Sequence, residues 1–318
     1  MTQLIFIGIA AGLAAALLFL SPASGTALAF PLFALTGLPI AIVGLGWSAI
    51  AAAIAAVTGA AVVFAVFPAS MAALIFLALF GAPIVWLTRL AGLSRPADAA
   101  TPGSGHEWYP LGRLLLHASV AVAVAVVAVG VVIGYQPEAM IKEAIAALGE
   151  WLSNVQTESP PPTAAEIEPM VRIYVAFLPL MTALLMAAIV VFDLWLASLV
   201  ARASSRLQRP RDRLAAVALP NEILIGFAVA AVLAFLPGAF GEIAGVFAGA
   251  FLCGLVLVGL AVLHTLTLGM GGRIPLLVVV YALVIFSGLP IVLFALLGAG
   301  ESFLNLRARR LANRSPRI

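Results

Sequence analysis

Residues 114–135 read LLLHASVAVAVAVVAVGVVIGY, a stretch without an acid, a lysine or an arginine. An α-helix rises about 1.5 Å per residue, so this run makes a rod about 33 Å long, enough to cross a hydrocarbon core of about 30 Å. Alanine and valine alternate, but both are apolar, so the segment lacks the apolar/polar period of a half-buried strand. Lipid offers the backbone no hydrogen-bond partners, and a spanning segment must satisfy its own, as a helix does.

The same reading extends in both directions. Apolar runs cover residues 4–20, 27–46, 48–67 and 71–91 before it, with Pro22, Trp47 and Pro68 at the turns, and 170–204, 221–236, 239–268 and 274–298 after it. The 318 residues are 64% hydrophobic and 9% charged, against roughly 45–50% and about 25% in soluble domains. A soluble fold needs a charged skin that this composition cannot supply. The expected fold class is therefore all-α: a polytopic transmembrane helix bundle of about eight spans, with a range of eight to ten. We read residues 1–318 as one integral membrane domain. It divides into a four-helix block (1–93), a loop (94–112), an outer acidic loop (136–169), a basic loop (202–218) and a tail (301–318). Residues 1–3 hold no lysine or arginine, which argues for a retained first helix over a cleaved signal.

Charge sets the expected orientation. Arg202, Arg206, Arg209, Arg211 and Arg213 crowd one loop, and Arg307, Arg309, Arg310, Arg314 and Arg317 the tail. Both belong on the cytoplasmic side, the N-terminus with them. Glu138, Glu143, Glu150, Glu158, Glu166 and Glu168 face a single Lys142 in the loop predicted outside. The net charge of +3 thus reads as topology, with the bilayer and not nucleic acid as the partner. Within the acidic loop, Met140, Ile141, Ala144, Ile145, Leu148, Trp151 and Leu152 fall at helical spacing. That predicts an amphipathic helix over 137–153, lying on the membrane surface or on the bundle, with Trp151 buried. Three apolar segments between two cytoplasmic basic regions leave the count open. Either 221–236 is re-entrant, giving eight full spans, or the chain breaks at Gly288-Leu289-Pro290, giving ten.

No HExxH, GxSxG, Walker A or CxxC motif is present, so neither an enzyme nor a cofactor is expected. Cys253 is the single cysteine, and His106, His117 and His264 are far apart, so no metal site is expected. Costly polar groups inside apolar spans are the functional candidates. Asp193 leads them, read either as a working carboxylate or as a helix-end carboxylate paired with loop arginines. His264 is read as bonding a neighbouring helix or a substrate; Glu222 and Glu242 open helices, and Glu301 begins the solvated tail. Glu107, Trp108, Tyr109 and Pro110 form the most distinctive polar segment, a candidate site or an interfacial anchor. The chain repeats a Gly-Leu-Pro break at Pro39 and Pro290. Paired interruptions of this kind mark solute sites in transporters, which predicts a ligand-sized cavity lined by both; the match is short enough for chance to explain it. Small residues at Gly8/Gly12/Ala16 and Gly241/Gly245/Gly249 predict close helix packing, inside the chain or against a membrane protein partner.

Glu107-Trp-Tyr-Pro-Leu-Gly112, Asp193-Leu-Trp-Leu-Ala197, Arg209-Pro210, Leu219-Pro220 and the run LGAGESFLNLR at 297–307 resemble the YybS-like family of predicted bacterial membrane proteins, over nearly the whole chain. That family has no established activity. It is likened to the S components of energy-coupling-factor transporters and to the cell-shape protein MreD. The resemblance implies a bacterial inner-membrane protein. By analogy with S components, which dock their transmembrane partner through small residues on early helices, it implies a similar use of the Gly8/Gly12/Ala16 face. Two functions follow as expectations: a transport-related solute-binding or permease subunit without its own ATPase, with an unknown small-molecule ligand, or a non-enzymatic scaffold that docks other membrane proteins.

Overall fold

The computed structural model describes residues 1–68, 70–96, 105–154, 162–207, 209–210, 217–288 and 290–312. It is helical almost throughout: α1 (Thr2–Phe19), α2 (Ala29–Phe33), α3 (Leu38–Gly46), α4 (Ala49–Val66), α5 (Ala72–Phe76), α6 (Ala82–Ala91), α7 (Leu111–Ile133), α8 (Pro137–Asn154), α9 (Ala164–Ala203), α10 (Asn221–Leu233), α11 (Ala239–Leu266), α12 (Arg273–Ser287), α13 (Pro290–Leu304) and α14 (Leu306–Ala312). A π-helical turn at Leu77–Gly81 joins α5 to α6. By length and composition, seven segments can cross a membrane: α1, α2 with α3, α4, α5 with α6, α7, α9 and α11. The all-α membrane-bundle class is thereby realised.

Of the two alternatives for 274–298, the chain takes the broken one, two short helices, and not a single span. Gly288 ends α12 with φ at 65°, a left-handed conformation that glycine adopts without penalty, and Pro290 opens α13. The 221–236 run is a helix of 13 residues, about 20 Å long. The Gly-Leu-Pro break at Pro39 is equally real, with α3 starting at Leu38 after turns over 34–37.

Two groups of helices share α9. In the N-terminal group, α1 and α4 run in parallel. A side-chain carbon at Gly8 would meet Ala51 and Ile54, and one at Gly12 would meet Ala55 and Thr58. Contacts that advance together along both helices require one direction. Phe19, Phe33, Phe76 and Phe80 pack at ring distances of 5.3–6.3 Å around one end of this group. In the C-terminal group α11 is central. Gly249 lies against the Leu180 backbone of α9, and Gly259 and Gly298 seat the backbones of α13 and α11 on each other. The Gly8/Gly12/Ala16 and Gly241/Gly245/Gly249 faces are therefore filled by the chain's own α4, α9 and α10–α11 turn. A partner protein could use them only by displacing those elements.

Charges separate to the two ends. The Cα of Gly46, at the end of α3, sits near Ala201 and Arg206, and the Arg206 guanidinium lies 5.2 Å from the Trp47 ring centre. Gly112, at the start of α7, packs on Ala218, and Arg307 Nη2 donates to the Val217 carbonyl at 2.8 Å. The basic segments thus gather at one end. At the other, α8 packs along the start of α9, with Ile141 buried among Ile167, Val171 and Val175. Arg172 ties the two helices by donating to Glu138 at 3.0 Å and Glu168 at 2.8 Å.

Two expectations about polar and aromatic groups change. Trp151 is 61% exposed: Ile141, Ile145, Leu148 and Leu152 take the α9-facing stripe, and Trp151 falls on its flank. Glu301 does not begin a solvated tail. It is buried and paired with Arg307, whose Nε approaches Oε1 to 2.8 Å. Asn305, with φ at 49°, reverses the chain so that α14 can bring Arg307 back.

Candidate functional site: a buried carboxylate at a broken helix

The break before α3 and the carboxylate of α9 come together. Asp193 is fully buried, and neither Oδ1 nor Oδ2 has a hydrogen-bond partner. The Gly37 backbone is the polar group that acts on it, without completing a hydrogen bond. A side-chain carbon at Gly37 would stand 2.6 Å from Asp193 Oδ2 and would collide with Ile84 Cδ1. A side chain here would have to push aside the ends of Ile84 on α6 and Asp193 on α9. The reading of Asp193 as paired with loop arginines does not hold in the structure.

The local sequence explains the break. Thr36, also fully buried, turns its hydroxyl onto the Phe33 carbonyl at 2.7 Å. The Leu38 N–H bonds Leu35 and the Ala41 N–H bonds Gly37. Pro39 has no N–H to offer, and it suits the first turn of a helix for that reason. A helix beginning at Leu38 inside an apolar span is the result, and it opens at Asp193. Sequence reasoning singled out Pro39 and Asp193 separately. Gly37 and Ile84 were missed as their companions, since only the fold joins residues so far apart in the chain.

Pro290 lies elsewhere, opening α13 beside α11, so the two Gly-Leu-Pro breaks do not face each other. Two surface depressions stand out, and neither reaches a break. One, of about 310 Å³, lies between α8 and α9 and is lined by Ala144, Leu148, Met170, Val171 and Tyr174.

The other, of about 500 Å³, is built by the Glu107–Pro110 segment with Leu93, Ser94, Arg95 and Arg113. Here the sequence reading missed a hairpin. Strand β1 (Ser94–Pro96) pairs antiparallel with β2 (His106–Trp108), Arg95 opposite Glu107, and Arg95 Nη2 meets Glu107 Oε2 at 2.7 Å. The Tyr109 ring stands 6.0 Å from that of His117, which in turn stands 6.0 Å from Trp86. These contacts anchor the hairpin on the start of α7. Three-residue strands carry too little periodicity to be read from sequence.

His264 bonds its neighbour: Nε2 lies 2.9 Å from the Tyr281 hydroxyl of α12. Glu222 and Glu242 lie in the first turns of α10 and α11, where the helix dipole favours a carboxylate. Among the described residues no three metal-ligating side chains cluster. No family model, curated protein or solved structure matches the chain.

Proposed function

We propose that this chain is a transport-related integral protein of a bacterial inner membrane, without an ATPase or any catalytic centre of its own. Asp193 at the opening of α3 is its working group. A single observation carries the reading: a carboxylate inside a membrane-spanning helix is fully buried, lacks a partner, and abuts a helix interrupted mid-span. Ionisable groups in such positions are costly and by default functional, and interrupted helices are where transporters place their sites. The arginine-bearing end faces the cytoplasm and the α8–α9 end faces outward, following the bias of basic residues toward the cytoplasmic side. The resemblance of the Glu107–Gly112 segment to YybS-like proteins agrees with this setting.

The test is solute accumulation by proteoliposomes offered a defined mixture of small metabolites and read by mass spectrometry, with Asp193→Asn vesicles beside them. At least one solute should accumulate in the wild type and not in the variant. Equal profiles, matching empty vesicles, would remove the transport reading. The second reading, a scaffold for other membrane proteins, is favoured by the filled packing at the Gly37 break, where Ile84 and Asp193 close over the backbone. Purification in mild detergent that brings down a stoichiometric protein partner and no small molecule would move it ahead.

A further inference from the structure

We infer that Asp193 is a proton-binding site, carrying its proton when α3 and α9 are packed together and losing it when they separate. The inference deepens the transport reading by naming the ligand of the same site.

The start of α3 offers an anion little. A helix N-terminus ordinarily supplies free N–H groups to a negative charge. Here the Leu38 and Ala41 donors are spent on Leu35 and Gly37, Pro39 has none, and the Gly37 backbone acts on the Asp193 carboxylate without meeting the geometry of a hydrogen bond. Both carboxylate oxygens are left unpaired in an apolar contact, and an isolated buried ion is the costliest group a protein interior can hold. A neutral acid removes that cost.

Charged neighbours do not supply the compensation either. Helix α3 has no titratable side chain. On α6, Arg89 is exposed; on α7, Arg113 is exposed and His117 stands among the Trp86 and Tyr109 rings. On α11, His264 bonds Tyr281, Cys253 is buried as a free thiol, and Glu242 lies in the first turn. Glu138 of α8 is engaged by Arg172, and Arg202 ends α9 itself. None forms a hydrogen bond or ion pair with Asp193.

A metal ion fits poorly. Hard cations take about six or more oxygen ligands, whereas among the described residues no three metal-ligating side chains cluster, and Ile84 fills the space over Gly37. A proton needs no cage. On its release to water the carboxyl becomes an anion with no partner in the packed contact, so α9 and α3 must part to let water in. The step is a simple ionisation, with the proton passing to solvent and nothing oxidised or reduced.

Infrared difference spectra of the reconstituted protein, titrated from acid to alkali, test this. The wild type should show the carbonyl stretch of a buried carboxylic acid at neutral pH. That band should be missing in Asp193→Asn and shifted in Asp193→Glu, and should give way to carboxylate bands in alkali. A neutral-pH spectrum identical in wild type and Asp193→Asn overturns the inference. If the acid band is present but no solute accumulates, the transport reading fails while the proton site stands.

Discussion

At the scale of single residues, Gly37 decides more than its size would indicate. Its backbone is ordinary, with φ at −76°, so what the position requires is space and not unusual torsion. Gly37→Ala would push a methyl group toward Asp193 Oδ2 and into Ile84 Cδ1. Forcing one extra carbon into a packed contact costs about 1–3 kcal/mol, and the thermal midpoint in detergent should fall by several degrees. Gly271→Ala is the control, because nothing lies within 4 Å of a carbon added there. Ile84→Val, which shortens the obstructing side chain, should recover part of the loss. If Gly37→Ala and Gly271→Ala melt together, the contact between α3, α6 and α9 is looser than the structure has it. Asp193 and Pro39 could each be singled out from sequence, because a charge or a proline stands out in an apolar run. Their meeting could not, because nothing local in residues 36–39 specifies which later helix arrives.

At the scale of elements, the amphipathic stripe of α8 was readable because one face of it is genuinely buried. The error lay in extending that face to Trp151. Four aliphatic positions suffice to dock α8 on α9, and each step along a helix turns by about 100°, so a residue adjacent to Leu152 leaves the interface. The two helices run in opposite directions, since the start of α8 is tied to Arg172 while its far end approaches the beginning of α9. Trp151 therefore sits about 20 Å along α8 from Glu138, exposed on the flank of the α9-facing stripe. In a variant keeping Trp151 and replacing Trp47, Trp86, Trp108 and Trp195, aqueous iodide should quench the emission strongly and brominated lipid hardly at all. Quenching by the lipid would mean that α8 leaves α9 and lies on the membrane. The last span was harder to read for a different reason. Residues 274–298 are almost wholly apolar, so the Gly288-Leu289-Pro290 sequence marked a possible break without deciding whether the helix bends there or ends.

At the scale of the whole molecule, the fold gathers described residues of the basic segments, although Glu107 and Glu301 pair with arginines among them. Trp47 with Arg206, Gly112 with Ala218, and Arg307 with Val217 place three basic regions at one end by direct contact. In a Cys253→Ala background, a membrane-impermeant maleimide should label Ser153→Cys in intact cells and Ser204→Cys only after permeabilisation. The reverse pattern would invert the orientation while leaving the packing untouched. Labelling of both in intact cells would break the assignment of the two residues to opposite ends.

The parallel pairing of α1 with α4 has a consequence for synthesis. Parallel neighbours cannot be joined by a tight turn, so a strand of chain must first leave and return, and α3 is that return. Once α4 has emerged from the ribosome, the three helices can close on one another with no help from later sequence. The groove over Gly37 then stays open through the making of the next hundred or so residues, with α9 the piece that fills it. Assembly of this N-terminal group would end at the very contact that carries the unpaired acid.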